Sequence, residues 1–205
     1  MPGEISHIVY GARVLTYLGK RVKTPAYWGG NVFPNIRHLN VQARHHTHTE
    51  GITLSSLPGK NDFMTGMRVH AWVDATQGRY LDLENSKETL RWHPMANYAY
   101  KLLEDEMLYA KFDDWGLVRR ILMKVYEDEL FYVNSRPAVQ GWHSLLQDYV
   151  RQEPTDSSRQ IYLEALGLSE AAAVELNDVV RQMRGDARTA KVMLGFWQHF
   201  ERLLT

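Results

Sequence analysis

Apolar residues recur at helical spacing along most of this chain, and this periodicity limits the folds open to it. The first such stripe consists of Ile5, Ile8, Val9, Ala12 and Leu15 and is ended by Gly19. Sustained alternation of apolar and polar residues is absent and β-branched residues are scattered, so no strand is predicted. The sequence therefore predicts an all-α fold, a single multi-helix domain of about eight helices.

Capping residues, glycines and prolines set the bounds of the predicted helices. These helices cover residues 4–18, 61–83, 95–112, 115–133, 136–152, 157–166, 170–184 and 187–204, and a further stretch opens at Ser86. The candidates for chemistry fall in residues 1–112, which we predict to form a metal-binding helical core. Residues 113–205 are predicted to be supporting helices of the same domain.

Residues 20–58 interrupt the helical pattern. Their breakers are Pro25, Gly29, Gly30, Pro34, Gly51 and Pro58. A loop of this length in a small domain is usually either functional or disordered, and its aromatic and histidine content argues against disorder. We therefore expect a long, ordered, histidine-rich loop, with a short helical turn after Pro34.

Composition excludes several kinds of function. Lysine plus arginine equals aspartate plus glutamate at 24 each, so no nucleic-acid partner is predicted. The chain has no cysteine, which excludes disulfides, thiolate zinc sites and cysteine nucleophiles. The N-terminal residues lack the pattern of a signal peptide, and no apolar run approaches the roughly 20 residues of a membrane span. A soluble, cytoplasmic protein without an integral membrane segment is expected; the sequence makes no prediction of oligomeric state.

Histidines concentrate between residues 31 and 74. Five of the nine lie there: His38, His45, His46, His48 and His70. Asp74 follows His70 by one helical turn, so both side chains leave the same face of a helix and are suited to hold a divalent metal. The alternative is a simple hydrogen bond between imidazole and carboxylate on a helix surface. Gly66, one turn before His70, is expected to leave space for a ligand.

The sequence RHHTHTEG holds the densest histidine cluster. If this segment is extended, His46 and His48 face one side and His45 faces the other. Metal or phosphate chemistry and a solvated polar loop are the two interpretations of the cluster. Arg37 and Arg44 are candidates to clamp a phosphate through bidentate hydrogen bonds, or else surface ion-pair partners.

Two further features border the predicted site. His7 lies next to the apolar face of the first helix, so it is able to point inward. The acidic run Glu104-Asp105-Glu106 lies in a helix that is otherwise apolar and aromatic, and we expect at least one of its carboxylates to turn inward. Glu104 shares a polar stripe with Asn97 and Lys101, which could face a site.

Taken together, these residues resemble the zinc-dependent phospholipase C superfamily, in its bacterial phospholipase C/D-like cytosolic branch. The resemblance covers roughly residues 1–112 and is carried by MPGEISHIVYG, FPNIRHL, RHHTHTEG and HAWVD. It implies an all-helical fold that binds zinc through histidines and aspartates and cleaves phosphodiester bonds, typically in phospholipids. By this resemblance His7, His48, His70 and Asp74 match metal ligands, Asn35 stands where members carry an aspartate ligand, and Glu104 stands for a later acidic ligand.

The chain also departs from that family pattern. It lacks the N-terminal tryptophan of secreted members, and the later histidine and HxxxE ligands have no clean counterpart. Asn35 is a neutral and weaker ligand than a carboxylate. One or two ions, rather than a three-zinc cluster, are therefore expected.

The resulting hypothesis is a metal-dependent phosphoesterase acting on a small phosphoester or a phospholipid. The ion, zinc by preference and otherwise manganese or iron, would lower the pKa of a bound water and polarise the phosphoryl oxygen. Asp74 and His46 are the predicted catalytic residues, with His46 as an extra ligand or a general acid, and Arg37 or Arg44 would bind the phosphate oxygens. The alternatives are a catalytically lapsed helical scaffold that binds a ligand or partner, which Asn35 favours, and a loop that only stores or senses metal.

Overall fold

The structure, a computed structural model, describes residues 3–19, 24–83 and 92–205. Eleven α-helices and two 3-10 helices occur in these residues, and no strand, so the predicted all-α class is confirmed. The first half contains α1 (Glu4–Tyr17), α2 (Pro25–Val32), a 3-10 helix (Phe33–Leu39), α3 (Arg44–Thr47), a second 3-10 helix (Leu54–Ser56), α4 (Asp62–Leu83) and α5 (Ala96–Tyr109). The second half contains α6 (Trp115–Ile121), α7 (Glu127–Tyr132), α8 (Arg136–Tyr149), α9 (Asp156–Ala165), α10 (Glu170–Arg184) and α11 (Ala187–Leu203).

The crossing of α2 and α4 positions much of the site, and two glycines permit it. A Cβ atom on Gly30 would lie 2.0 Å from the carbonyl oxygen of Phe63, and one on Gly66 would lie 2.1 Å from the carbonyl oxygen of Tyr27. Only glycine fits at such a close approach of two backbones. The expectation that Gly66 leaves space for a ligand is wrong, because the backbone of α2 fills that space.

Residues 24–58 are more regular than the loop that the sequence predicts. Thr24 caps α2 by accepting a hydrogen bond from the Tyr27 amide (3.4 Å), and Pro25 takes the first helical turn. The turn expected after Pro34 is present as the 3-10 helix Phe33–Leu39. Proline and glycine thus act here as a helix start and as packing residues rather than as breakers.

The helix predicted for residues 115–133 is two helices, α6 and α7. Tyr126 has an extended backbone, and its amide donates to the Glu129 carboxylate (2.8 Å) at the start of α7. Glu129 is also hydrogen-bonded to His143 of α8 (2.7 Å), so this contact holds the start of α7 against α8. The helix start expected at Ser86 lies outside the described residues.

One continuous hydrophobic cluster includes residues from both sides of the division predicted at residue 112. Trp28 of α2 packs on Phe112 with ring centroids 5.7 Å apart, and Trp142 of α8 donates its indole N–H to the Val32 carbonyl (3.3 Å). Tyr10 of α1 packs on Phe200 of α11 at 4.5 Å. Among the helices of residues 3–19, 24–83 and 92–205, none is both long and apolar enough to cross a membrane.

Candidate metal centre

Side chains from distant parts of the chain converge where α1 and α4 pack together. His7 of α1 and His70 and Asp74 of α4 each offer a ligand atom, and these atoms all lie within 4.8 Å of one another. All three residues are buried. His48, just after α3, adds a third imidazole, because its Nε2 lies 3.4 Å from Asp74 Oδ2. The convergence that the sequence predicts for these four residues is therefore present.

The rings of this cluster, which we call the His/Asp cluster, are closely packed. His7 Nε2 lies 3.3 Å from Asp74 Oδ1. His7 and His70 stack with centroids 3.5 Å apart and planes 10° from parallel, and His48 meets His70 edge-on at 4.9 Å. The cluster therefore gathers three imidazoles around one carboxylate.

Neighbouring groups hold the Nδ1 atoms of His70 and His48, and one of them fixes the tautomer of His70. His70 Nδ1 lies 2.8 Å from the Asn31 carbonyl oxygen, which can only accept, so Nδ1 carries the proton and Nε2 carries the lone pair. Thr47 Oγ1 lies 3.0 Å from His48 Nδ1, and it also lies 3.3 Å from the Arg44 carbonyl oxygen and 3.4 Å from the Pro34 carbonyl oxygen. Such outer hydrogen bonds are usual for histidines that bind metal through the other nitrogen.

The ionisation of the cluster suits a cation. Burial lowers the pKa of His7 and His48, and lowers that of His70 well below its ordinary value, so the imidazoles are neutral at pH 7. Burial alone would raise the pKa of Asp74, but the adjacent His48 and His7 hold it well below its usual range. Neutral imidazoles and an ionised carboxylate are the forms that coordinate metal.

The strongest indication of a missing partner is a set of unsatisfied buried atoms. Nε2 of His7, His48 and His70 and Oδ1 of Asp74 make no hydrogen bond of good geometry in the described part of the chain, although His7 Nε2 lies 3.3 Å from Asp74 Oδ1 and His48 Nε2 lies 3.4 Å from Asp74 Oδ2. A buried polar atom left unsatisfied costs about 1–3 kcal/mol, and native proteins contain few of them. A divalent ion held by His7, His70 and Asp74 would satisfy the ligand atoms of these three residues, and a nitrogen and oxygen donor set of this kind suits zinc. The residues present therefore fit a metal ion.

A cavity of about 430 Å³ opens over this cluster. Asp74 and His48 lie in its wall, together with Arg44, Arg79 and His45. Arg44 Nη2 donates to Asp74 Oδ2 (3.1 Å), and Arg79 Nη2 donates to the Thr76 hydroxyl (3.2 Å). Two guanidinium groups and a buried carboxylate thus share one opening to solvent.

His46 does not line this cavity, although the sequence predicts it beside His48. It is exposed, and its Nδ1 lies 2.6 Å from Gln42 Oε1. Residues 44–47 form a helical turn rather than an extended segment, so His45 and His48, three residues apart, lie on the same side. The orientation predicted for His45 and His46 is therefore wrong.

Three other predicted residues lie beside the cluster rather than in it. Glu104 accepts hydrogen bonds from the Tyr10 hydroxyl (2.8 Å) and from Gln77 Nε2 (2.7 and 2.9 Å). Burial raises the pKa of Glu104 to about 7. Asn35 donates its amide to Glu4 Oε1 (3.0 Å). Arg37 is half-buried and is not in the wall of the cavity.

Sequence reasoning missed Arg79 and assigned His45 to the wrong side. The signal for Arg79 was present, since Ala71, Ala75 and Arg79 lie at intervals of four on α4 and all three line the cavity. The expectation that an acidic residue of α5 turns inward is confirmed twice, because Glu104 and Asp105 are both buried.

Comparisons with protein-family models, with curated proteins and with solved structures find no match to this chain. The function proposed below therefore rests on the geometry of the described residues.

Proposed function

We propose that this protein is a metal-dependent phosphoesterase that hydrolyses phosphodiester bonds in the manner of phospholipase C. The observation that carries the proposal is the His/Asp cluster. Its buried ligand atoms make no hydrogen bond of good geometry with the described residues, and it borders a cavity that is also lined by two arginines. Zinc is the preferred ion, with manganese or iron as alternatives. The proposal places the activity in the cytoplasm, as expected from the sequence.

His7, His70 and Asp74 would hold the ion, and His48 lies next to them at the cavity side. When bound, a divalent ion supplies a water of lowered pKa, near 7 in known enzymes, and polarises a phosphoryl oxygen. A set of three protein ligands leaves a position for that water, as in catalytic zinc sites. Asp74 contributes most to the charge of the site, because it is the only carboxylate of the cluster.

The cavity supplies the groups that a phosphodiester needs. Arg44 and Arg79 line this cavity and would bind the phosphate oxygens through charge-assisted hydrogen bonds, since the guanidinium fork matches phosphate geometry. His45 lines the cavity and is better placed than His46 to protonate the leaving oxygen. The volume of about 430 Å³ suits a small phosphoester or the head group of a phospholipid.

Metal content and turnover together test the proposal. We expect the purified protein to contain near-stoichiometric zinc, manganese or iron by elemental analysis, and to hydrolyse bis-p-nitrophenyl phosphate when metal is present. His70→Ala should lose both the metal and the activity. His93→Gln, at a partly exposed histidine that pairs with Glu175, serves as the matched control and should keep both.

Each other outcome contradicts a defined part of the proposal. Bound metal without turnover would refute the proposed enzyme activity and would favour a catalytically lapsed scaffold or a metal-storing site. Unchanged metal content in His70→Ala would refute the assignment of the ligands. Turnover without bound metal would refute the mechanism.

A further inference from the structure

A second cavity, of about 360 Å³, lies apart from the His/Asp cluster. It is enclosed by the start of α1, the first 3-10 helix, the N-terminal half of α5, and α9 with α10. It shares no lining residue with the cavity over the cluster. We therefore treat it as a second site, distinct from the cavity proposed for the phosphoester.

The walls of this cavity are mainly apolar. Five leucines line it: Leu102, Leu163, Leu166, Leu168 and Leu176. Met95 and Tyr98 extend the apolar wall along α5. A wall of this kind favours a ligand with an aliphatic or aromatic body, because burying apolar surface is the main source of binding energy in such pockets.

One end of the cavity is polar, and most of its polar groups already have partners. Asp105 Oδ1 accepts from the Ser6 amide and hydroxyl, both at 2.7 Å, and Asp105 Oδ2 accepts from the Tyr149 hydroxyl (3.2 Å). Glu4 Oε1 accepts from Asn35 (3.0 Å) and from the Tyr162 hydroxyl (3.2 Å). These contacts leave little capacity at Asp105 and at the first Glu4 oxygen.

Glu4 Oε2 is the exception. Glu4 is 3% exposed, and this oxygen has no hydrogen-bond partner among the residues that the structure describes. Burial and then the charge of Asp105 raise the pKa of Glu4 to about 8, so the carboxyl holds its proton at pH 7. Because Oε1 already accepts two hydrogen bonds, the proton belongs on Oε2, which becomes a donor in search of an acceptor.

Lys101 supplies a cation at the same end. Its nitrogen lies 5.6 Å from the centre of the Tyr98 ring, and its charge acts on the Glu4 carboxyl. Burial lowers the pKa of Lys101, and no ion pair joins it to a carboxylate in the described part of the chain. His38 also lines this end, but burial and then the charge of Arg37 lower its pKa to about 3, so it is neutral. The Lys101 ammonium and the Glu4 carboxyl proton are therefore two hydrogen-bond donors with capacity left at this end, and the neutral imidazole of His38 has one N–H and one lone pair.

We propose that this cavity binds a monocarboxylic acid with an apolar body, whose carboxylate accepts hydrogen bonds from Lys101 and Glu4 while its body lies among the leucines. An amine would bring a second positive charge beside Lys101. A neutral alcohol would accept a hydrogen bond from one donor but would bring no negative charge to the ammonium.

Calorimetric titration of the unmodified protein with octanoate, octylamine and 1-octanol tests the proposal. We expect octanoate to bind at least about tenfold more tightly than either comparator, since charge-assisted hydrogen bonds separate it from them. From hexanoate to octanoate the affinity should rise by about fourfold per methylene. The titrations are made on metal-stripped and zinc-loaded protein, so that a carboxylate bound to zinc at the His/Asp cluster is recognised by its metal dependence.

Lys101→Met keeps the apolar stem and removes the charge, and it should abolish the preference for octanoate over 1-octanol. Lys111→Met is the matched control, because Lys111 lies over the Trp197 ring (5.3 Å) and outside the cavity. Equal or tighter binding of octylamine or 1-octanol to the unmodified protein overturns the proposal. The proposal is also overturned if Lys101→Met leaves octanoate binding unchanged, or if octanoate binds only when zinc is present. If Lys101→Met fails to fold by circular dichroism, the ligand ranking on the unmodified protein decides alone.

Discussion

Removing the ion from the His/Asp cluster is expected to lower the melting temperature by about 8–16 °C. A ligand that binds only the folded state stabilises it by about 4 kcal/mol when its concentration is 1,000 times Kd. For a chain of 150–250 residues, 1 kcal/mol shifts the melting temperature by about 2–4 °C. The structure agrees with a shift of this size, because the ligand atoms of His7, His70 and Asp74 make no hydrogen bond of good geometry among the described residues, and a buried polar atom left unsatisfied costs about 1–3 kcal/mol.

The assay is a thermal melt of protein stripped with EDTA, with and without a slight excess of zinc. Asp74→Asn removes the anionic ligand at nearly constant volume and should make the melt insensitive to zinc. Glu129→Gln is the matched control, since Glu129 is a buried carboxylate that binds a different histidine, His143 (2.7 Å), away from the cluster. A zinc-dependent shift that persists in Asp74→Asn, or its absence in the unmodified protein, would refute the reasoning.

Three further predictions concern packing, protonation and substrate binding. Gly66→Ala should destabilise the fold by about 1–3 kcal/mol in urea titrations, because the added Cβ meets the α2 backbone, whereas Gly78→Ala, in open space on the same helix, should stabilise it by about 0.5–1 kcal/mol. Glu4 keeps its proton in the folded state up to about pH 8 but loses it near 4.5 when unfolded, so stability falls as pH rises through this window. Glu4→Gln lacks the titrating carboxyl, so its free energy of unfolding should exceed that of the unmodified protein by up to roughly 5 kcal/mol at about pH 9. At about pH 4 the two should have the same free energy of unfolding, as measured by urea titration. Arg79→Ala should lower kcat/KM for bis-p-nitrophenyl phosphate by about 10- to 100-fold, while Arg136→Ala, at an exposed surface position, should leave it unchanged.

Helical periodicity was enough to predict most of the fold, and it failed where packing rather than pattern decides. The helix α2, with the sequence PAYWGGNV, holds two adjacent glycines that argue against a helix on propensity alone. Gly30 is there because Phe63 of α4 leaves no room for a Cβ atom. That reason involves a residue 33 positions away, so no local pattern contains it.

The candidate site was predictable to the extent that its residues lie on regular helices. His70 and Asp74 share a face of α4 because of their spacing, and the structure brings them together. His46 was misplaced because the side that a histidine faces depends on whether residues 44–47 are extended or helical. The alternation of histidines carries no information about which of the two conformations is adopted.

The ligand geometry depends on residues that bind no metal, and this links the fold to the proposed chemistry. Gly30 and Gly66 let α2 approach α4, which places the Asn31 carbonyl against His70 Nδ1 and directs the lone pair of Nε2 to the cluster. Gly66→Ala should therefore weaken zinc binding by more than its loss of stability accounts for. A destabilising change far from α2, such as Val180→Ala in the buried face of α10, should lower the melting temperature but leave the zinc-dependent shift intact. If both variants lose the same part of that shift, the crossing of the helices does not orient His70, and the ligand set needs no support from α2.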